Sequence, residues 1–322
     1  MIYTITLNPA RDRTVVIPDF AAGKVNRIQS FRDDPGGKGI NVSKIIHTLG
    51  GRSCAMGILG GNTGKYIKNC LNDMGVENDF VITQKETRTN IKVVDTLNHV
   101  TTDINEPGAP VSKRVLSSVM TKLTKRVQPG DIVVFAGKIP EGASAVMIHD
   151  WTQRLKEKDV RVFLDADSRT LAEGVKAGPY LIKPNESELS QLLGKELESL
   201  SDIYCGAKSV IDHLDISIVA VSMGADGALF VTKDAAYRAE GLKVHVLSTV
   251  GAGDAMTAAL AYGIDAGMPL SETIKLAMAA SAASVEESGT QCPPLYVIEK
   301  LKSEAKVYPY NSDNYEERRN YL

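Results

Sequence analysis

The sequence predicts an α/β fold: a three-layer sandwich with a mainly parallel central sheet, helices on both faces and a small β-sheet lid. Three observations carry this expectation. Short β-rich apolar runs alternate with amphipathic stretches almost from end to end, the pattern of a sheet flanked by helices. Two glycine-rich stretches run directly into helical patterns. Two further segments, Arg13 to Arg32 and Thr89 to Ile104, alternate polar and apolar residues with no helix between, so they read as strands exposed on one face, antiparallel and inserted in the parallel framework as material for a lid.

Taken in order, Ile2 to Leu7 (IYTITL) reads as a buried strand. Gly39 to Leu49 reads as a helix closed by Gly50, because glycine readily takes the left-handed conformation at a helix end. A strand at Cys54 to Leu59 precedes a helix from Gly64 to Met74, whose apolar face carries Ile67, Leu71 and Met74 and whose stop is Gly75. After residue 110 the alternation resumes: helix Ser112 to Val127, strand Ile132 to Phe135, helix Ala145 to Lys158, strand Val160 to Leu164 and strand Tyr180 to Ile182. The tail from Tyr308 is polar and tyrosine-rich and reads as an extended or frayed surface segment. With no linker or internal repeat, the organisation expected is one large domain, 1–10, 36–86 and 109–322, with a discontinuous lid, 11–35 and 87–108.

Composition excludes several classes. At 322 residues the chain can bury a sizeable core without staples. The 37 Lys+Arg against 39 Asp+Glu give a net charge of -2, the wrong balance for a nucleic-acid binder, whose basic excess gathers on one face. Cys54, Cys70, Cys205 and Cys292 form no CxxC, so neither a zinc ribbon nor a disulfide framework is indicated. No signal-peptide succession opens the sequence and no apolar run approaches the roughly 20 residues of a membrane span. A soluble cytoplasmic protein without nucleic-acid or membrane partners is expected.

The most informative segment is STVGAGDAMTAAL at Ser248 to Leu260, where glycines and an aspartate stand immediately before a small-residue helix. Small residues let backbone N–H groups of Gly251, Ala252 and Gly253 converge at a helix N-terminus, where unpaired donors and the helix dipole attract a phosphate-sized anion. Asp254 at that mouth could take a proton from a hydroxyl nucleophile, or it could simply cap the helix after a tight turn. The segment is neither a Walker A loop nor a GxGxxG fingerprint. A second cluster, PGGKGINVS at Pro35 to Ser43, combines close backbone approach at Gly36, Gly37 and Gly39 with a point charge at Lys38 and a donor–acceptor at Asn41. Such a loop suits a polyol, although a glycine-capped turn would look the same.

Together these two segments, in this order and at this separation, resemble the paired signatures of the PfkB, or ribokinase-like, carbohydrate kinases. The likeness runs from TLNPARD at Thr6 to SGT at Ser288. The resemblance implies a ribokinase-like fold and ATP with Mg²⁺ as cofactors. It makes the glycine-rich motif the anion hole and Asp254 the catalytic base. Lys183, Asn185 and Glu188 in LIKPNESEL resemble the KPNxxE segment, whose Asn and Glu act near the Mg²⁺-bound phosphates, directly or through water. Ser222, Gly224 and Gly227 in VSMGADGALF resemble the SxGxxG turn that lies against the nucleotide.

The acceptor follows from the N-terminal half. TLNPARD resembles the TLNPxxD opening of 1-phosphofructokinases and tagatose-6-phosphate kinases, in which the aspartate, here Asp12, holds sugar hydroxyls. Arg88 in KETRTNIK resembles the arginine that clamps the sugar phosphate in that subgroup, with Lys38 as its helper. Lys92 and TTDINEPGAP are closer to the 1-phosphofructokinase pattern, so fructose 1-phosphate is the expected acceptor and tagatose 6-phosphate the alternative. Arg27 in the lid is a further cation for the phosphate. Lys138 stands where phosphosugar members commonly carry serine, and either adds a phosphate contact or marks a different acceptor. A kinase-like sensor that binds sugar phosphate without catalysis is the reading from another class. By the same resemblance, a homodimer packed through the lid is expected.

Overall fold

The computed structural model describes residues 1–311, which hold fifteen strands and ten α-helices. In chain order the strands are β1 (Ile2–Thr6), β2 (Ala10–Val16), β3 (Ser30–Gly36), β4 (Ser53–Gly60), β5 (Glu77–Asn78), β6 (Val81–Thr83), β7 (Arg88–Asp95) and β8 (Val100–Asn105). They continue with β9 (Ile132–Ala136), β10 (Arg161–Asp165), β11 (Leu181–Ile182), β12 (Ile218–Ser222), β13 (Ala228–Thr232), β14 (Ala236–Ala239) and β15 (Val307–Pro309).

Eleven strands form one sheet in the order β15-β14-β13-β12-β11-β10-β9-β1-β4-β5, with β6 also on β4. From β12 through β4 to β5 and β6 every pairing is parallel, while β13, β14 and β15 add antiparallel to the far edge. The parallel strands read as continuous apolar runs because both faces are covered. Alternate residues part cleanly. Tyr3, Ile5, Val133, Phe135, Val162 and Leu164 pack under helices such as Lys113–Arg126, Ala145–Lys156 and Leu200–Leu214. Ile2, Ile132, Val134 and Phe163 pack on the other side, against Lys38–Thr48, Ala252–Asp265 and Leu270–Val285. Ala252–Asp265 is rich in Ala and Gly and Leu270–Val285 in Ala and Ser, which lets the two approach closely: a methyl placed on Gly263 would lie 2.6 Å from the Thr273 side chain.

The remaining four strands make a separate small sheet, ordered β3-β2-β7-β8. The sequence pattern suggests antiparallel strands here, but the central pair, β2 with β7, is parallel and only the outer pairs are antiparallel. The reason is connectivity: β2 follows β1 and β7 follows β6, two parallel strands of the main sheet, so both enter the small sheet in the same sense. The alternating stretch from Arg13 to Arg32 is also not continuous strand, since residues 17–29 form a loop between β2 and β3. One face of this sheet carries Asp12, Thr14, Asn90, Lys92 and Asp103, and the other carries Val15, Phe31, Val93 and Ile104.

The start of the C-terminal tail is docked rather than frayed. Val307–Pro309 pairs with β14, the Tyr310 amide donates to the Ala236 carbonyl at 2.8 Å, and its ring meets Tyr204 at 5.5 Å. Pairing with an exposed sheet edge is the competing force that composition does not reveal. The rest of that segment lies outside the described residues. Among the described residues no helix is long and apolar enough to cross a membrane.

Candidate active site

The carboxyl ends of five adjacent parallel strands, β1, β9, β10, β11 and β12, open onto one cleft of about 600 Å³, roofed by the small sheet. This is where open parallel sheets bind ligands, beside the strand from which the order runs outward in both directions. From those ends come Thr6, Gly137 and Lys138, Asp165, Lys183 and Ser222, and the small sheet adds Asp12, Arg88, Asn90 and Lys92.

The floor of the cleft is a buried charge network. Helix Ala252–Asp265 begins at Gly251, which sits in the left-handed region at φ 90 and makes no side-chain cap. Asp254 is therefore the third helical residue and not the N-cap. Its carboxylate is 5% exposed, lines the cleft and accepts a hydrogen bond from Asn41 Nδ2 at 2.8 Å. Asp165 is 3% exposed. It accepts from Lys38 Nζ at 2.9 Å and Thr257 Oγ1 at 2.9 Å, and pairs with Lys183 Nζ at 3.3 Å. A methyl on Gly253 would lie 3.1 Å from the Lys183 ammonium, so that cation sits beside the helix N-terminus.

These neighbours separate the two aspartates electrostatically. Burial alone would raise Asp165, but Lys183 and Lys38 together hold it below the ordinary carboxylate range. Burial pushes Asp254 up to about 6, with Asp165 adding to it against the pull of Lys38 and Asn41. Asp165 in turn raises Lys38 above the usual lysine range. Two carboxylates whose proton affinities are driven apart mark an acid–base division of labour: Asp165 a fixed anion, Asp254 a group that can accept a proton near neutrality.

The glycines of PGGKG are needed for contact between the small sheet and the floor. A methyl on Gly36 would fall 1.9 Å from Asp12 Oδ2, and Gly37, at φ +115, would place one 2.7 Å from Thr6 Cγ2. Asp12 accepts from Asn90 Nδ2 at 2.9 Å, and burial raises its proton affinity. Arg88 donates to the carbonyls of Glu106 at 2.8 Å and Asn8 at 3.3 Å, and Lys92 pairs with Asp103 at 2.7 Å. Lys138 lines the cleft and is exposed. Several buried polar atoms in the lining have no partner, among them Thr6 Oγ1, Asn41 Oδ1, Asn90 Oδ1 and Thr290 Oγ1. Their residues line the cleft, and a lining this rich in hydroxyl and amide groups suits a polyol.

Asn185 and Glu188 form a capping box at the start of helix Glu186–Leu193: Asn185 Oδ1 accepts from the Glu188 amide at 2.8 Å and Glu188 Oε2 from the Asn185 amide at 3.0 Å. Both still line the cleft, and the box occupies only one carboxylate oxygen of Glu188. Among the described residues no cluster of three His, Cys, Asp or Glu makes a metal cage. The other Glu188 oxygen is a hard donor of the kind that Mg²⁺ takes together with waters and phosphate oxygens.

The cleft therefore gathers Asp12, Gly37, Lys38, Asn41, Arg88, Lys92, Lys138, Lys183, Asn185, Glu188, Ser222, Gly251, Gly253 and Asp254 from distant parts of the chain. Ala252 is the first helical residue beneath it. Gly224 and Gly227 shape the turn between β12 and β13 but lie outside the lining, and Arg27 is exposed in the 17–29 loop, away from the cleft. Sequence reasoning overlooks Asp165, Thr257 and Asn90. The usable signal for Asp165 is its position at the carboxyl end of a buried strand.

Comparison with known proteins agrees with this geometry. The model of the pfkB family carbohydrate kinases matches residues 3–295. The chain is 34% identical over 307 residues to a 1-phosphofructokinase of Haemophilus influenzae, covering 95% of this chain and 97% of that enzyme. It is also 34% identical over 309 residues to one of Bacillus subtilis, covering 95% and 99%. Phosphofructokinase-2 of Escherichia coli, solved in complex with substrates and products, superposes with a TM-score of 0.90 at 28% identity, covering 94% of this chain and 98% of that one. The chain belongs to the pfkB family of carbohydrate kinases, phosphotransferases that use an alcohol group as acceptor.

Proposed function

We propose that the acceptor is a sugar phosphate, fructose 1-phosphate, converted with ATP to fructose 1,6-bisphosphate and ADP. The observation that carries this reading is the polarity of the cleft. A buried carboxylate that can take a proton, Asp254, stands at one end beside a helix N-terminus, and Asp12, Asn90, Arg88 and Lys92 stand in the small sheet above it. The 1-phosphofructokinases among the relatives support the same acceptor.

In this reading Asp12, Asn41 and Asn90 hold the sugar hydroxyls, while Arg88, Lys92, Lys138 and Lys38 offset the charge of the existing phosphate. Asp254 takes the proton of the carbon-6 hydroxyl as that oxygen bonds to the γ-phosphorus. The bond from the γ-phosphorus to the bridging oxygen of ADP breaks, and ADP leaves with the electron pair. Amides of Gly251, Ala252 and Gly253 and the Lys183 ammonium stabilise the charge on the transferring group. Mg²⁺, held by Asn185 and Glu188 through water, neutralises nucleotide phosphates when bound.

A panel of acceptors tests this directly: fructose 1-phosphate, tagatose 6-phosphate, fructose 6-phosphate and ribose, each followed by ADP release. Fructose 1-phosphate is expected to give a kcat/KM at least roughly tenfold above the others, the size of one well-made charged contact. Comparable turnover on ribose would remove the phosphate from the argument, and ligand-induced stabilisation without ADP production would favour a sensor.

The same reading extends to assembly as a homodimer through the small sheet. On its face turned away from the cleft the two edge strands expose apolar side chains, Phe31 at 63% on β3 and Val100 at 53% and Ile104 at 51% on β8, which a partner would cover. Phe31→Asp is expected to shift the sedimentation coefficient from dimer to monomer. An unchanged value, or a monomeric parent protein, would contradict the assignment.

A further inference from the structure

The small sheet is fastened to the C-terminal half by an arginine that neither the sequence motifs nor the chemistry above employ. Arg32 lies on β3, on the face turned toward the cleft. Its guanidinium donates from Nε to Asp34 Oδ2 at 2.8 Å, from Nη2 to the Ser288 carbonyl at 2.7 Å and from Nη1 to Gln291 Oε1 at 3.1 Å. One planar fork thus grips both its own sheet and a loop 256 residues away. The fit is close, since a methyl on Gly289 would come within 3.2 Å of Nη2.

That loop is part of the reaction chamber. Gly289 and Thr290 line the cleft, as does Asp34 on the other side of the grip. The loop follows helix Leu270–Val285, and the Val285 carbonyl accepts from the amides of Leu247 and Ser248, at the entry to the glycine-rich segment. A second cation bolts the neighbouring residues: buried Lys44 donates to the carbonyls of Thr290 at 2.7 Å and Pro35 at 3.3 Å. Residues 32–35 and 288–291 are therefore joined twice, along the seam where the roof of the cleft meets its wall.

We propose that Arg32 is a positioning residue for phosphoryl transfer, which clasps the small sheet onto loop 288–291 and so keeps the acceptor bound and water out. This rests on the carbohydrate-kinase chemistry of the family and on no particular acceptor. If the seam opens, water can take the place of the sugar oxygen in forming the new bond to the γ-phosphorus, and ATP yields ADP and inorganic phosphate with no sugar product.

Arg32 suits mutation better than Lys44, because its side chain is 34% exposed, whereas removing the buried Lys44 would strand the two carbonyls it holds. The experiment uses Arg32→Ala, Arg32→Lys and Gln291→Ala with whichever acceptor the unaltered enzyme turns over fastest. For Arg32→Ala the KM of the acceptor should rise roughly tenfold with kcat changed less than about threefold. The share of ADP accompanied by free phosphate should rise several-fold, with Arg32→Lys and Gln291→Ala intermediate on both readouts. A lowered melting temperature with unchanged KM and unchanged phosphate share would make Arg32 merely structural and overturn the proposal. So would equal loss of kcat and kcat/KM at constant coupling. If Arg32→Ala does not fold, the two milder variants decide by the same readouts. Failure on fructose 1-phosphate alone would count against the acceptor reading and not against the clasp.

Discussion

Replacing Asp254 with Asn is expected to lower kcat by about a thousandfold, within the range a positioned general base supplies. The substitution keeps the shape and an oxygen that can accept from Asn41 Nδ2, the 2.8 Å bond that orients the side chain. It removes only the capacity to take the acceptor's proton. Affinity for ATP, measured by calorimetric titration, should stay within about threefold, because the amides of the helix N-terminus are untouched. The pH profile provides an independent check. Asp254 works as a carboxylate, and burial pushes its pKa up to about 6. Activity of the unaltered enzyme should therefore hold above that pH and fall about tenfold per unit below it, whereas the residual activity of Asp254→Asn should lack that acid limb. Near-normal turnover by the variant would end the general-base assignment.

Asp165→Ala is expected to cost about 3–5 kcal/mol of folding stability, the usual result of leaving one partner of a buried ion pair behind. The carboxylate is shared by Lys38 and Lys183, and Lys183 is itself only 6% exposed. Its removal strands a buried ammonium and empties the hydrogen bond from Thr257. The pH dependence has a definite sign. Because the folded state holds Asp165 below its ordinary value, its contribution is complete above the unfolded carboxylate pKa of roughly 3.9 and is lost as pH falls through the lower folded value. Urea denaturation of both proteins should thus show the full difference at neutral pH and a shrinking one below about pH 4. A difference under about 1 kcal/mol at pH 7 would mean that the two lysines do not depend on this anion.

Asp254 and Asp165 lie in one network, yet only the first was legible in the sequence. Asp254 announces itself locally, since glycines followed by an aspartate and a small-residue helix describe an anion site within a few residues. Asp165 acquires its role only when the ends of β10 and β11 and two helices bring Lys38, Lys183 and Thr257 around it, and that is a property of strand order. The same division holds for the fold. Apolar periodicity gave β1, β4, β9, β10 and β11 and the helices as far as Ala145–Lys156, whose ends shift by only a few residues, but not β12 or the helices Leu200–Leu214 and Leu270–Val285. The parallel pairing of β2 with β7, the docking of Val307–Pro309 and the grip of Arg32 on Ser288 are long-range matches that no window of sequence contains. The capping box of Asn185 and Glu188 shows the reverse, a local motif whose conventional reading is correct and whose side chains still face the cleft.

The parallel central pair of the small sheet has a mechanical meaning. A β-hairpin inserted in a framework hangs from one pair of neighbouring strap points and can sway sideways as well as swing. Here the chain passes between the two sheets four times, before β2, after β3, before β7 and after β8, and β2 and β7 run side by side in the same direction. Four straps in a row act as a piano hinge: they suppress twisting and sliding and leave one rotation free, toward or away from the carboxyl ends of the main strands.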